Sequence, residues 1–284
     1  MKFGVVLGQT HPSLWRDAAR VADECGYESV WLSEHLVLPT EMAGQLVPGE
    51  EHPPIDPHTP VFDVAAYLGY LAGITEHTRL GSFVYLLAIR HPFVGARAFA
   101  TLDVISDGRA ELGVGAGWMT SEWRAAGLDP KGRGRRLDEA IHVTRRLWSE
   151  RVVAHDGEFW AFPEVGFEPK PLQAGGVPIG IGGESPAALS RAARLGDWWL
   201  GMQHTPQSAA AAVAAIRATE AGQGRGGACQ ISVMGSVSGL ADIEAYAAAG
   251  VDRLMVVPWT RVRETVAALR DFAATFIGRS RGEP

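Results

Sequence analysis

Cysteine is nearly missing: Cys25 and Cys229 are the only two among 284 residues. They lie far apart and form no C-x-x-C, so neither a zinc site nor a disulfide framework is indicated, and both are expected as free thiols in the core. An excess of positive charge is missing too. Lys and Arg number 26 against 32 Asp and Glu, a formal net charge of −6, and the basic residues are scattered, which excludes the footprint of a nucleic-acid binder. No long apolar run occurs either. The stretch from Phe3 to Leu7 is too short for a signal peptide or a spanning helix, so a cytoplasmic protein without a membrane partner is expected. What remains is ordinary globular composition, 46% hydrophobic and 20% charged, which excludes a disordered chain.

Read in order, the chain alternates strand and helix patterns. Strands are expected over 2–8, 29–35, 79–88, 109–118, 177–182, 197–202, 229–237 and 253–259. Helices are expected over 12–26, 61–75, 92–106, 135–148, 186–196, 207–221, 240–250 and 261–277, with a short helical turn over 121–127. Two stretches interrupt the rhythm. Residues 36–60 form a long loop punctuated by Pro39, Pro48, Pro53, Pro54, Pro57 and Pro60, and 151–177 reads as an insertion whose first part is a hairpin turning at Asp156-Gly157. About eight βα units without a shift in composition fit a single (β/α)8 TIM barrel over 1–284, with a doubly wound open sheet as the alternative.

Arg109 to Trp118 reads RAELGVGAGW, with glycine at the alternating positions 113, 115 and 117. The third spacing of the dinucleotide fingerprint G-x-G-x-x-G fails, and the run lies mid-chain, so the stretch is read as the fourth barrel strand, with glycines that admit a ligand close to the backbone. Residues at the carboxyl ends of barrel strands become site candidates. Glu34 and His35 follow the second strand. His35 is either a satisfied core histidine or a site residue, and Glu34 either holds it or is solvated. Gly182-Gly183-Glu184-Ser185-Pro186 combines a good N-cap with a good first helical residue, so it is either an anion-binding helix start or a tight turn that needs glycine. Trp118 either packs or brackets a flat ring. His11, His35 and His204 could converge, but Gln9-Thr10-His11 offers one imidazole where barrel metallohydrolases place His-x-His, and His52 to His58 sits among prolines; no metal is expected.

These residues also carry a resemblance. WLSEH at 31–35, T-x-x-x-RLGS at 75–82, GVGAGW at 113–118, R-x-x-DEA at 135–140, RRLW at 145–148, PxxIGG at 178–183 and LGDWW at 195–199 resemble the luciferase-like flavin and deazaflavin oxidoreductases, in the branch that uses coenzyme F420. The resemblance implies a (β/α)8 barrel with an insertion and a homodimer. It implies a cofactor ring lying against a bulge in the third strand at Ser82, Phe83 and Val84, with a cis peptide at Phe83-Val84. It also implies that His35, with Glu34 beside it, touches the ring, that the backbone of Gly115, Ala116 and Gly117 runs along the cofactor, and that Ser121 makes a polar contact. Gly182, Gly183, Glu184, Ser185 and Ala187 would hold the coenzyme phosphate. The implied activity is hydride transfer between F420 and a small organic substrate, with an FMN-dependent monooxygenase as one alternative and a non-catalytic flavin- or deazaflavin-binding barrel as another. Two departures matter: the glucose-6-phosphate dehydrogenases of the family carry glutamate where Trp118 stands and tryptophan where Pro39 stands. Sugar-phosphate oxidation is therefore not expected, His35 is left as the strong titratable candidate near the ring, and 36–60 becomes the lid that selects substrate.

Overall fold

The computed structural model describes residues 1–46, 49 and 55–278. Along the chain come β1 (Lys2–Val6), α1 (Trp15–Glu24), β2 (Ser29–Leu32), α2 (Val64–Ala72), β3 (Arg79–Ser82), α3 (Pro92–Ile105), β4 (Ala110–Val114), α4 (Thr120–Ala125) and α5 (Arg133–Ser149). A hairpin of β5 (Val152–Asp156) and β6 (Ala161–Gly166) follows. The alternation resumes with β7 (Ile179–Gly182), α6 (Pro186–Leu195), β8 (Trp198–Gly201), α7 (Pro206–Ala221), β9 (Gln230–Met234), α8 (Leu240–Ala248), β10 (Arg253–Val256) and α9 (Thr265–Phe272). The expected loop over 36–60 is described at its two ends; its middle, with Pro48, His52, Pro53 and Pro54, lies outside the described residues, as does 279–284.

The eight strands other than the hairpin close in the order β1-β10-β9-β8-β7-β4-β3-β2, each parallel to its neighbours. Closure excludes the open doubly wound sheet and yields the TIM barrel. Strands buried on both faces require apolar runs, and β1, β2, β8 and β10 supply them. Inside the barrel Val6, Trp31, Trp198, Leu200, Met234 and Met255 make one cluster, separate from the larger cluster between strands and helices.

Glycine makes room for its largest members. A Cβ on Gly81 would lie 2.4 Å from the Trp31 ring, and one on Gly113 or Gly180 would lie 2.6 or 2.7 Å from Leu200. At the amino end of the barrel the buried Arg253 bridges Glu28 and Glu111 at 2.7–2.9 Å and stacks 3.9 Å from the Trp198 ring, which closes the floor with paired charge.

Several local readings change: the second and fourth strands stop at Leu32 and Val114, short of the expected 35 and 118. The third strand ends at Ser82 instead of running to residue 88, because the chain leaves the ladder there, passes a cis Phe83-Val84 peptide, and rejoins only through a bridge from Tyr85 to Val114. The hairpin pairs Asp156 with Ala161, so its loop spans 157–160, closed by Gly157 N–H donating to the Trp160 carbonyl at 2.9 Å, rather than turning at Asp156-Gly157. Both cysteines are free, but Cys25 is only half-buried, because it caps the end of α1; Cys229 alone is a core thiol.

Candidate active site

The barrel mouth is built on the bulge after β3. Val84 sits between the ends of β4 and β7, and its two methyls occupy the space that a Cβ on Gly115 or on Gly182 would need, at 2.6 Å in each case. With Phe83 it makes a half-buried apolar floor. Above that floor lies a cavity of about 460 Å³, within the size range of small-molecule sites. Of the residues expected at the cofactor, Glu34, His35, Phe83, Val84, Gly115, Ala116, Gly117, Gly182, Gly183, Glu184 and Ser185 line it, as does Trp118.

Three expected residues fall outside the lining. Ser82 is fully buried, its Oγ donating to the Gly113 carbonyl at 2.9 Å, so it stitches β3 to β4. Ser121 turns to the long loop, where its Oγ accepts from Ala43 N–H at 3.1 Å. Ala187 is exposed on the first turn of α6, and Ala188, one position on, faces the cavity. The glycines of GVGAGW also change meaning in part. A Cβ on Gly113 would meet the Ser82 carbonyl oxygen at 2.0 Å and one on Gly117, at φ +73°, would meet Trp123 Nε1 at 2.7 Å, so strand pairing and packing demand them before any ligand does.

Glu34 and His35 do not pair. The Glu34 carboxylate accepts from both Nη atoms of Arg90, at 2.8 and 3.1 Å, and from Leu86 N–H at 2.8 Å. Burial pushes its carboxyl up and the Arg90 guanidinium works against that rise. The neighbouring Tyr85, under the Arg90 guanidinium, has its phenol pushed up to about 12, chiefly by burial. His35 instead meets Glu122 of α4: Nδ1 lies 3.1 Å from Oε2, while Oε1 accepts from Leu36 N–H at 2.5 Å and Val37 N–H at 3.4 Å. His35 is thus not the sole titratable side chain at the cavity, since Glu122, Glu184, Arg133 and Arg191 line it as well. The start of the loop is fastened to the same helix by Thr120 N–H donating to the Ala43 carbonyl at 2.7 Å and by a bridge between Gly44 and Met119.

At the other end of the cavity two helices begin. Ser185 caps α6, its Oγ accepting from Ala188 N–H at 3.2 Å, and Pro186 takes the first helical position. Arg191 of α6 and Arg133, the first residue of α5, both line this end. Arg191 pairs with Asp138, which also takes Arg194 at 3.1 Å. Arg133 has no carboxylate partner among the described residues; its guanidinium donates only to the Pro130 carbonyl, at 3.3 Å. Glu184 is occupied elsewhere, accepting from Met202 N–H at 2.8 Å and meeting His204 Nε2 at 2.9 Å. His11 caps a turn by accepting from Ser13 N–H, so the three mouth histidines have three separate partners, and among the described residues no group of three metal-ligating side chains converges.

The sequence reading missed Glu122, Arg133 and Arg191. A buried acid on a six-residue helix has no periodicity to betray it, and RGRR at 133–136 looks like a solvated face; only the helix start at Arg133 could have pointed inward.

A closed parallel barrel hosts many chemistries, and it is sequence comparison that supplies the family. The family described as luciferase-like monooxygenase matches residues 1–256, and the chain belongs to that family of oxidoreductases. An uncharacterised protein of Mycobacterium tuberculosis is 31% identical over 203 residues, 70% of this chain and 72% of its own. An F420-dependent glucose-6-phosphate dehydrogenase of Kineococcus radiotolerans is 32% identical over 195 residues, 68% of this chain and 53% of its own. The oxygenase component of a flavin-dependent trigonelline monooxygenase of Acinetobacter baylyi is 30% identical over 172 residues, 60% and 42%. An F420-dependent secondary alcohol dehydrogenase, solved with an F420-acetone adduct, shares the fold with a TM-score of 0.79 at 17% identity, covering 97% of this chain and 98% of its own. No helix among the described residues is long and apolar enough to cross a membrane.

Proposed function

We propose that the protein is an F420-dependent oxidoreductase acting on a small organic molecule. The observation that carries this reading is one cavity joining an apolar floor at Phe83 and Val84, an imidazole at His35, and an anion-seeking end made by the start of α6 with Arg133 and Arg191. That arrangement fits a flat ring with a phosphorylated tail. When bound, the deazaflavin supplies a two-electron hydride acceptor and donor, and the protein supplies orientation and exclusion of water. Val84 and Phe83, which floor the cavity, would carry the ring. Ser185, Arg133 and Arg191 hold the phosphate, through backbone N–H groups and charge-assisted bonds. His35 would hold or move a proton at the substrate, taking it from a reduced substrate or returning it to an oxidised one. The loop start at Leu36–Leu46 closes the substrate side, and the enzyme works as a homodimer in the cytoplasm.

A flavin-dependent relative supports a second reading, in which FMN occupies the same cavity as cofactor of a monooxygenase. Titration of the purified protein with F420 and with FMN, each followed by quenching of tryptophan emission, separates them. Micromolar binding of F420 together with oxidation of the reduced coenzyme by a carbonyl or alkene panel is the expected result. Tight FMN binding with no F420 binding overturns it, and F420 binding without turnover of any substrate identifies a carrier instead.

A further inference from the structure

We infer that Glu122 is a positioning residue that sets which nitrogen of His35 faces the bound ligand and ties that choice to the start of the loop; this rests on the proton-transfer role given to His35 above. Glu122 is 1% exposed and lies on a different element, 87 residues from its partner. The Glu122 carboxylate already accepts from two backbone N–H groups through Oε1, and with Oε2 accepting likewise the Nδ1 atom carries the proton. In the neutral ring that leaves Nε2 with the lone pair. Nε2 has no protein partner among the described residues, and the ring lines the cavity with its side chain 22% exposed. The nitrogen offered to a ligand is therefore a hydrogen-bond acceptor and base, and it becomes a donor only after taking up a proton.

The same carboxylate accepts from the amides of Leu36 and Val37, the first two residues after His35. Its two oxygens are divided between these tasks: Oε2 faces the imidazole and Oε1 the backbone. The carboxylate that faces the ring is thus the same one that holds the first two residues of the loop. Glu34 cannot substitute, because its own oxygens are taken by Arg90 and Leu86.

Glu122→Gln separates the two tasks. The carboxamide oxygen still accepts from Leu36, while its NH2 now donates to Nδ1 and drives the proton to Nε2. Long-range proton–nitrogen correlation on histidine-labelled apoprotein, with the ring neutral and His35 assigned through a His35→Ala sample, reads the tautomer without any cofactor. The wild type should show Nδ1–H and E122Q should show Nε2–H. In the loaded enzyme, kcat of E122Q should fall by roughly 10²–10⁴-fold, the range that a positioned general acid or base contributes, while coenzyme Kd stays within about twofold and Glu122→Asp restores the Nδ1–H signal. An Nε2–H tautomer in the wild type overturns the proposal even if E122Q does not fold. An inactive His35→Ala beside an E122Q that matches the wild type in tautomer and kcat overturns it alone, whereas a fully active His35→Ala overturns the parent reading whatever the tautomer.

Discussion

Glu34 and His35 are adjacent in the chain and belong to separate networks, Glu34 to Arg90 of the β3–α3 connection and His35 to Glu122 of α4. Their substitutions should therefore separate stability from turnover. Glu34→Gln leaves Arg90, only 14% exposed, without its anion; removing one partner of a buried pair costs about 3 kcal/mol, and urea denaturation should show that loss. His35→Ala leaves Glu122 its two backbone donors and should keep the denaturation midpoint near wild type while abolishing turnover. Equal losses of stability from both variants would mean that the two side chains act as one cluster.

Arg133 lines the anion end without a carboxylate partner among the described residues, so it is available to a ligand, whereas Arg191 is partly neutralised by Asp138. Arg133→Ala should weaken coenzyme binding about tenfold, equivalent to about 1.4 kcal/mol, with little change in thermal stability. The effect should shrink at high salt and disappear for a deazaflavin lacking the phosphate. An equal loss for the dephosphorylated compound would place Arg133 at the ring instead.

Much of the barrel is legible in the chain because its signals are local: an apolar run for each strand, Ser185-Pro186 or Thr205-Pro206 for a helix start, and alternation of the two throughout. Strand ends that carry local markers, such as Gly115, Gly182 and His35, were found for the same reason. What could not be read depends on contacts between distant elements. Glu122 and His35 meet across 87 positions, and nothing near either residue encodes the other. For Glu34 the sequence leaves two readings, a hold on His35 or a solvated carboxylate, because adjacency is visible in the chain and the bidentate Arg90 contact, 56 positions away, is not. The glycines misled in the opposite way: their absence of a side chain is obvious, but whether a ligand or a neighbouring strand uses the space is a matter of packing.

Gly81 tests that packing directly. An added Cβ would stand 2.4 Å from the ring of Trp31, which is 1% exposed and has nowhere to move inside the barrel. Gly81→Ala should cost roughly 1–3 kcal/mol through overpacking. Gly113→Ala should cost more, since the obstacle there is the Ser82 carbonyl of the paired strand at 2.0 Å and a backbone cannot change rotamer. Gly166 at the end of β6 is the control: nothing lies within 4 Å of its added Cβ, and Gly166→Ala should stay within about 0.5 kcal/mol of wild type. Denaturant midpoints of the three variants give the order, and equal midpoints would refute the packing account.

Acid sensitivity should trace in part to Asp23, at the end of the barrel opposite the cavity. Its carboxylate accepts from the backbone N–H groups of Glu76, His77 and Thr78 at 2.7–2.8 Å and so fastens α1 to the turn before β3. Burial pushes this carboxyl up, but the three N–H donors outweigh burial and hold it below the ordinary value. Between the folded and unfolded values the unfolded chain binds more protons, so stability rises with pH through that window. The contribution is complete above the unfolded carboxylate value of about 3.9 and is lost as pH falls through the lower folded value. Asp23→Asn keeps one acceptor and loses the charge, so at neutral pH it should be destabilised by about 1–2 kcal/mol, with kcat unchanged because the cavity is remote. Urea titrations of both proteins from neutral to strongly acid pH should show the gap narrowing as the wild-type carboxylate is protonated. A gap that stays constant down to the lowest pH would assign the loss to altered packing at the α1 end rather than to the charge on Asp23.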